Sequence, residues 1–364
     1  MASKVGGNSS IALSGNDPTR ASDSSAGRGL TKVIAFALGL TVFALLFYLI
    51  GLNTILEPLS KIGFGFAYIV ALNGIRHYLR AINLYIAVPR NERTFSVMNA
   101  FSARLAGEAI NTVAFTGPVL GDAAKAAMLN RNVSLEHSAT AVIIDEVIYY
   151  VSSLILILLG VIVVLYVHGS AGTVIDMILG GLIAFSVFVF VGLWLSIKYE
   201  IKPVSWLIAK LGHWKVFPRS LRRKRDDIKD VELNVLKFYE ERRRAFLILT
   251  GIILLTHALS IVEAYWAMKM LGLSLTVSTA FIIESLTKAV NFVFFLIPGT
   301  IGAYEGGNGV ILKLTGYSAG AGIALALVRR GAIIFWTLIG GAILMWRGAE
   351  KSAEEIEETI AESE

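Results

Sequence analysis

Charged side chains stand in this chain where apolar sequence would be expected to exclude them. Arg104, Glu108, Asp122 and Lys125 share one hydrophobic stretch, and Asp145 and Glu146 lie in the next. Glu263, Glu284, Lys288, Glu305, Arg329 and Arg330 follow in the second half. A charge at the centre of a bilayer costs on the order of 3 kcal/mol on insertion scales, so such residues pair, meet water or touch a cargo. Both signs are present, so mutual pairing accounts for some of them. Glu305, Arg329 and Arg330 rank first for cargo contact, because they flank a break at Pro298-Gly299. Enzymatic chemistry is poorly served. There is no Ser/His/Asp arrangement, the five histidines lack metal-ligand spacing, and cysteine is absent. The glycine-rich GTIGAYEGGNG follows no strand of an α/β unit, so a phosphate loop is not expected there. No catalytic residue, metal or cofactor is assigned. The alternative is a membrane-embedded transferase with Glu305 or Asp145 as base.

The elements that must position these charges are membrane helices. The chain has 364 residues, of which 55% are hydrophobic, and a mean hydropathy of +0.67. Apolar runs near 33–52, 62–88, 138–167, 174–197, 245–270 and 319–346 approach or exceed the roughly 20 residues that cross a bilayer. The runs are continuous rather than alternating, which excludes a transmembrane barrel. The expected fold is an all-α polytopic membrane protein with about six spanning helices plus two re-entrant broken-helix hairpins. Residues 1–28, rich in Ser, Gly and Ala, read as disordered. The formal charge of +6 sits mainly beside membrane runs, which argues for orientation rather than nucleic-acid binding. Arg76, His77 and Arg80 are read as snorkelling to a cytoplasmic interface. The segment 198–244 is a basic interfacial insert, and 348–364 is an acidic tail. The positive-inside tendency places both termini in the cytoplasm of a cell-membrane protein.

Two stretches break inside apolar sequence, and they match. NTVAFTGP runs from Asn111 to Pro118, and NFVFFLIP from Asn291 to Pro298. Backwards without a gap, Glu108 meets Lys288 and Arg104 meets Glu284, each pair at i, i+4 with signs exchanged. Forwards with a short gap, Asp145-Glu146 falls on Arg329-Arg330. Gly121 follows the first proline, and Gly299 and Gly302 the second. A unit with an odd number of crossings must begin its second copy from the opposite side. The expectation is therefore an inverted repeat, 29–170 and 171–347, around a midplane site. Asn111 and Asn291, with Pro118 and Pro298, should meet near its pseudo-two-fold axis. Substrate-contact candidates are Glu108, Asn111, Asp122, Lys125, Asp145, Glu284, Asn291, Lys288, Glu305, Arg329 and Arg330. The broken-helix ends offer free backbone donors that suit phosphate or carboxylate.

IPGTIGAYEGGNGVILKLTGYSAGAGIALALVRRGAIIFWTLIGG, residues 297–341, resembles the signature region of the lysylphosphatidylglycerol synthase transmembrane, or flippase-like, family. The matching residues are Pro298, Gly299, Gly302, Glu305 and Arg329 or Arg330. The stretch with Glu108, Asn111, Pro118 and Gly121 is similar to the family's earlier motif. The chain departs from the pattern at Asp145-Glu146, where a basic residue is usual, and at Asp122, where a Glu is usual. The resemblance implies a multi-pass lipid flippase or transporter, here a stand-alone member without the soluble synthase domain. Its partners would be membrane lipids and a separate lipid- or glycan-modifying enzyme. A small-solute or ion-coupled transporter, or an accessory of a lipid-modifying enzyme, is the alternative.

Overall fold

The computed structural model describes residues 60–113, 119–129, 133–169, 172–199, 202, 205–206, 210, 225–295 and 297–361, all within one compact unit. Among them there are helices and no strands. The run at 33–52, residues 1–28, Pro118 and most of residues 200–224 of the insert 198–244 lie outside the described residues.

Helix α1 spans Gly65–Ala87, α2 Val97–Val113, α3 Val119–Leu129, α4 Leu135–His168 and α5 Thr173–Lys198. Helix α6 spans Arg225–Glu241, α7 Arg243–Met270, α8 Val277–Val293, α9 Ala303–Leu314 and α10 Ala319–Ala361. Their starts and stops follow from sequence. The Ser134 hydroxyl accepts the His137 N–H at the start of α4 (3.3 Å), and Thr276 accepts that of Thr279 before α8 (3.1 Å). Gly169, with φ 66°, ends α4.

Four helical stretches are long and apolar enough to cross a membrane: Leu135–Val167, Asp176–Ser196, Arg243–Met270 and Ala319–Trp346. The chain is a polytopic helical membrane protein. Helix α1 has 23 residues, and at 1.5 Å per residue it is also long enough to span. The snorkelling expectation for Arg76, His77 and Arg80 gives way to pairing: Arg76 and Arg80 meet carboxylates of other helices. Arg80 is buried, and all three side chains turn into the protein interior. Seven further helical residues follow Arg80, so it stands about two turns inside the helix end.

Both predicted breaks fall between antiparallel-capable helix pairs. Helices α2 and α3 flank the first, whose residues 114–118 lie outside the described ones. Helices α8 and α9 flank the second, which holds a short 3₁₀ turn at Pro298–Thr300. Gly299 and Thr300 both have positive φ there, 55° and 50°. For Gly299 this is free; for Thr300 it is a strained conformation held by its surroundings.

Small residues set how closely these elements approach. A Cβ on Gly121 would collide with the Asn111 side chain and the Gly107 carbonyl, so α2 and α3 touch through glycine. A Cβ on Gly322 would strike the Asn308 backbone, and one on Gly340 the Leu105 carbonyl. Helix α10 thus lies directly on α9 and on α2, the close packing that small residues permit in membranes.

Candidate functional site

A cavity of about 380 Å³ opens between helices from both halves of the chain. Helix α1 contributes Asn73, Arg76, His77 and Arg80, one face of a helix at spacings of three and four. Helix α2 contributes Arg104, Glu108, Asn111 and Thr112 by the same periodicity. Glu146, Tyr149 and Tyr150 enter from α4, and His257 and Glu263 from α7. Opposite stand Glu284, Lys288 and Asn291 of α8, Gly299 and Thr300 of the break, and Arg329, Arg330 and Trp336 of α10.

The charges pair into two sets. In the first, Asp145 is fully buried and receives Arg80 at 2.5 Å, with Arg104 at 3.7 Å. Arg104 also meets Glu108 at 3.2 Å, and Arg80 meets Glu146 at 3.0 Å. Lys125, buried behind the wall, donates to Glu108 (3.2 Å), Asp122 (2.9 Å) and Glu146 (3.1 Å). In the second set, Arg329 lies between Glu263 at 3.0 Å and Glu284 at 2.8 Å, and donates to the Ser260 hydroxyl at 3.0 Å. Lys288 meets Glu284 at 3.2 Å. Arg330 pairs with Glu305 and donates to the Gly299 carbonyl (2.8 Å), pinning the break.

Four connections recur in the two sets with opposite polarity, while Arg80–Glu146, Lys125–Glu108 and Lys125–Asp122 have no counterpart in the second. Asp145 held by Arg80 and Arg104 corresponds to Arg329 held by Glu263 and Glu284. Arg104 with Glu108 corresponds to Glu284 with Lys288, and Glu146 with Lys125 to Arg330 with Glu305. Arg76 of α1 adds to the second set, meeting Glu263 at 2.5 Å. Tyr149 joins the two sets, its ring 4.3 Å from the Arg80 guanidinium and 5.3 Å from the Lys288 ammonium. Seven basic and seven acidic residues make up these ion pairs, so their formal charges cancel.

Of the residues singled out in the sequence, Glu108, Asn111, Glu284, Lys288, Asn291, Gly299, Arg329 and Arg330 line this one cavity. Asp122, Lys125, Asp145 and Glu305 do not line it; each pairs with a residue that does, Asp122 through Lys125. Asp145 is a clamp for two arginines rather than part of the wall. Gly121 holds the α2–α3 approach, its N–H donating to Asn111 Oδ1 at 2.8 Å. Gly302, with φ 76°, starts α9, where its N–H donates to Glu305 Oε2 at 2.8 Å. Pro298 opens the 3₁₀ turn of the second break. Asn111 and Asn291 do share the cavity, and Gly299 packs near the Thr112 carbonyl, so the second break touches the end of α2. Sequence reasoning did not place Arg76, His77, Arg80, Tyr149 or Trp336 in the site. A signal was present on α1, where Asn73, Arg76, His77 and Arg80 form a polar stripe at helical spacing in apolar sequence.

Some donors behind the wall go unsatisfied. Among the described residues, Arg80 Nε, Arg104 Nε and Nη1, Arg329 Nη1 and Arg330 Nη2 are buried without a hydrogen-bond acceptor. Such groups are costly unless water or a ligand satisfies them. Chemically the cavity can hold a polar group, with guanidinium donors for an anionic oxygen and carboxylates for a cation or hydroxyl.

No curated protein and no solved structure matches the chain. A family model does, over residues 32–341, a span that takes in every ion pair described above. With its spanning helices and its buried, charge-lined cavity, the chain belongs to the family of the lysylphosphatidylglycerol synthase transmembrane region.

Proposed function

We propose that this protein is a lipid translocase that moves a polar-headed phospho- or glycolipid between leaflets. In this reading the two units, 29–170 and 171–347, are inverted repeats, and the headgroup passes through the cavity between them. The observation that carries it is the set of four ion-pair connections that recur in the two networks with exchanged signs. Duplicated broken-helix units with a site between them suit a carrier that opens to either side. Charge inside apolar sequence suits a polar load, and membership of a lipid-handling family suits a lipid. The five arginines in the cavity lining, Arg76, Arg80, Arg104, Arg329 and Arg330, favour a headgroup bearing phosphate or another anionic oxygen.

The chain acts as a carrier and needs no cofactor. Its partners are membrane lipids, with a separate lipid- or glycan-modifying enzyme supplying the load. It sits in the cell membrane with both termini in the cytoplasm, the arrangement favoured by its basic flanks. The test is reconstitution in liposomes with headgroup-labelled anionic, zwitterionic and glycosylated lipids. Faster transfer between leaflets for at least one class is expected. Transfer at the protein-free rate for all of them would overturn the proposal. Gradient-coupled uptake of a water-soluble solute would replace it with a small-solute transporter.

A further inference from the structure

Beside the polar cavity lies a second hollow of about 620 Å³, open to the surface and lined by no polar side chain. Phe64, Phe66, Ala67, Val70 and Ala71 of the first turns of α1 and its approach form one side, and Phe335 of α10 the other. Resting on the translocase reading above, we propose that this groove seats an acyl chain of the lipid whose headgroup occupies the cavity. Trp336 is the partition between the two compartments.

The argument rests on how the two hollows share one wall. Phe335 faces the groove, and the next residue, Trp336, lines the cavity, their rings edge to face at 5.5 Å. The Trp336 indole N–H donates to the Val70 carbonyl at 3.0 Å, and Val70 is itself a groove residue. One turn on, α1 carries Gly74, where a Cβ would overlap the indole ring. The glycine lets the indole lie flat across α1 at the level where the groove ends. Past that point the same helix turns polar, with Asn73, Arg76 and Arg80 on the cavity wall. From Val70 to Asn73 is a rise of about 4.5 Å, so the apolar and polar compartments meet within one helical turn.

An amphipathic lipid has the same abrupt boundary. Its headgroup gains from the cavity's polar groups, while a chain drawn into that cavity would face charged and polar side chains. A lateral apolar groove adjoining the cavity lets the headgroup enter while the chain stays in hydrocarbon. The indole is fixed as this partition by its hydrogen bond to Val70 and by ring contacts with Phe335, Phe101 and His77. The groove lies along the end of α1 remote from Arg90 and Arg93, which the basic flanks place towards the outer leaflet.

The test uses the whole protein in nanodiscs containing lipid with a photoactivatable diazirine on the acyl chain, with labelled sites mapped by mass spectrometry. Labelling at Ala67, Ala71 and Phe335 should exceed that at Phe188 and Ile178, exposed apolar residues of α5 outside the groove, several-fold. Ala71→Trp, on an exposed face, should abolish the excess and leave Phe188 unchanged. Trp336→Ala should bring label to Asn73 and Thr337 on the cavity wall, and Trp336→Phe should bring less. Groove labelling no higher than at Phe188, or a cavity wall still unlabelled in Trp336→Ala, would overturn the proposal. The liposome assay separates the two readings. Enriched groove labelling without any leaflet transfer sinks translocation but leaves a lipid-binding groove; transfer without enrichment sinks the groove alone.

Discussion

Arg329 lies between two buried carboxylates and donates to Ser260. Removing it leaves buried Glu263 with Arg76 alone and buried Glu284 with Lys288 as its one cation. Arg329→Ala should cost about 3–5 kcal/mol, the range for breaking a buried pair. Thermal unfolding in detergent would register the loss, and Glu284→Gln added to it should recover part. Arg330 and Glu305 differ, because their pair sits at the break and the guanidinium also holds the Gly299 carbonyl. Arg330→Ala and Glu305→Ala should slow lipid transfer more than they reduce folded yield; equal loss of both would assign them a structural role only. Glu305→Gln keeps an acceptor for the Gly302 N–H and should fall between wild type and Glu305→Ala. These residues were legible because a charge is conspicuous in apolar sequence. The residues opposite them were not. Arg80 and Arg76 read as interfacial because they lie towards the end of an apolar run, while their partners Asp145 and Glu263 are 65 and 187 residues away. Only packing brings such pairs together.

Elements were easier to read than their contacts. Long apolar runs fix spanning helices through bilayer thickness, and Pro298 fixes the second break by removing a donor. What composition does not carry is which side of a helix meets a neighbour. Gly340 and Gly341 make the point, being adjacent in α10 and identical in propensity. A Cβ at Gly340 would strike the Leu105 carbonyl, whereas one at Gly341 meets nothing within 4 Å. Gly340→Ala should destabilise by about 1–3 kcal/mol, as overpacking does. Gly341→Ala should be neutral or slightly stabilising, because alanine is the better helix former. The midpoint of thermal unfolding compares them directly. Gly121→Ala should behave like Gly340→Ala, since the α2–α3 approach leaves no room for a methyl group.

At the scale of the whole molecule, the proposed carrier would have to move one repeat against the other. Thr112 at the end of α2 and Thr337 on α10, one from each proposed repeat, lie with their hydroxyl oxygens 3.3 Å apart. The chain has no cysteine, so Thr112→Cys with Thr337→Cys introduces one unambiguous pair. Oxidation should halt lipid transfer, and reduction should restore it. Unchanged transfer with the bridge formed would mean that these two points need not separate. The pairing of opposite charges has an electrical consequence as well. A membrane potential acts on net charge, at about 2.3 kcal/mol per elementary charge per 100 mV. Ion pairs whose formal charges cancel give that field little to grip when the carrier is empty. The return stroke should then be indifferent to voltage, and an anionic load alone would make the outward or inward journey electrogenic.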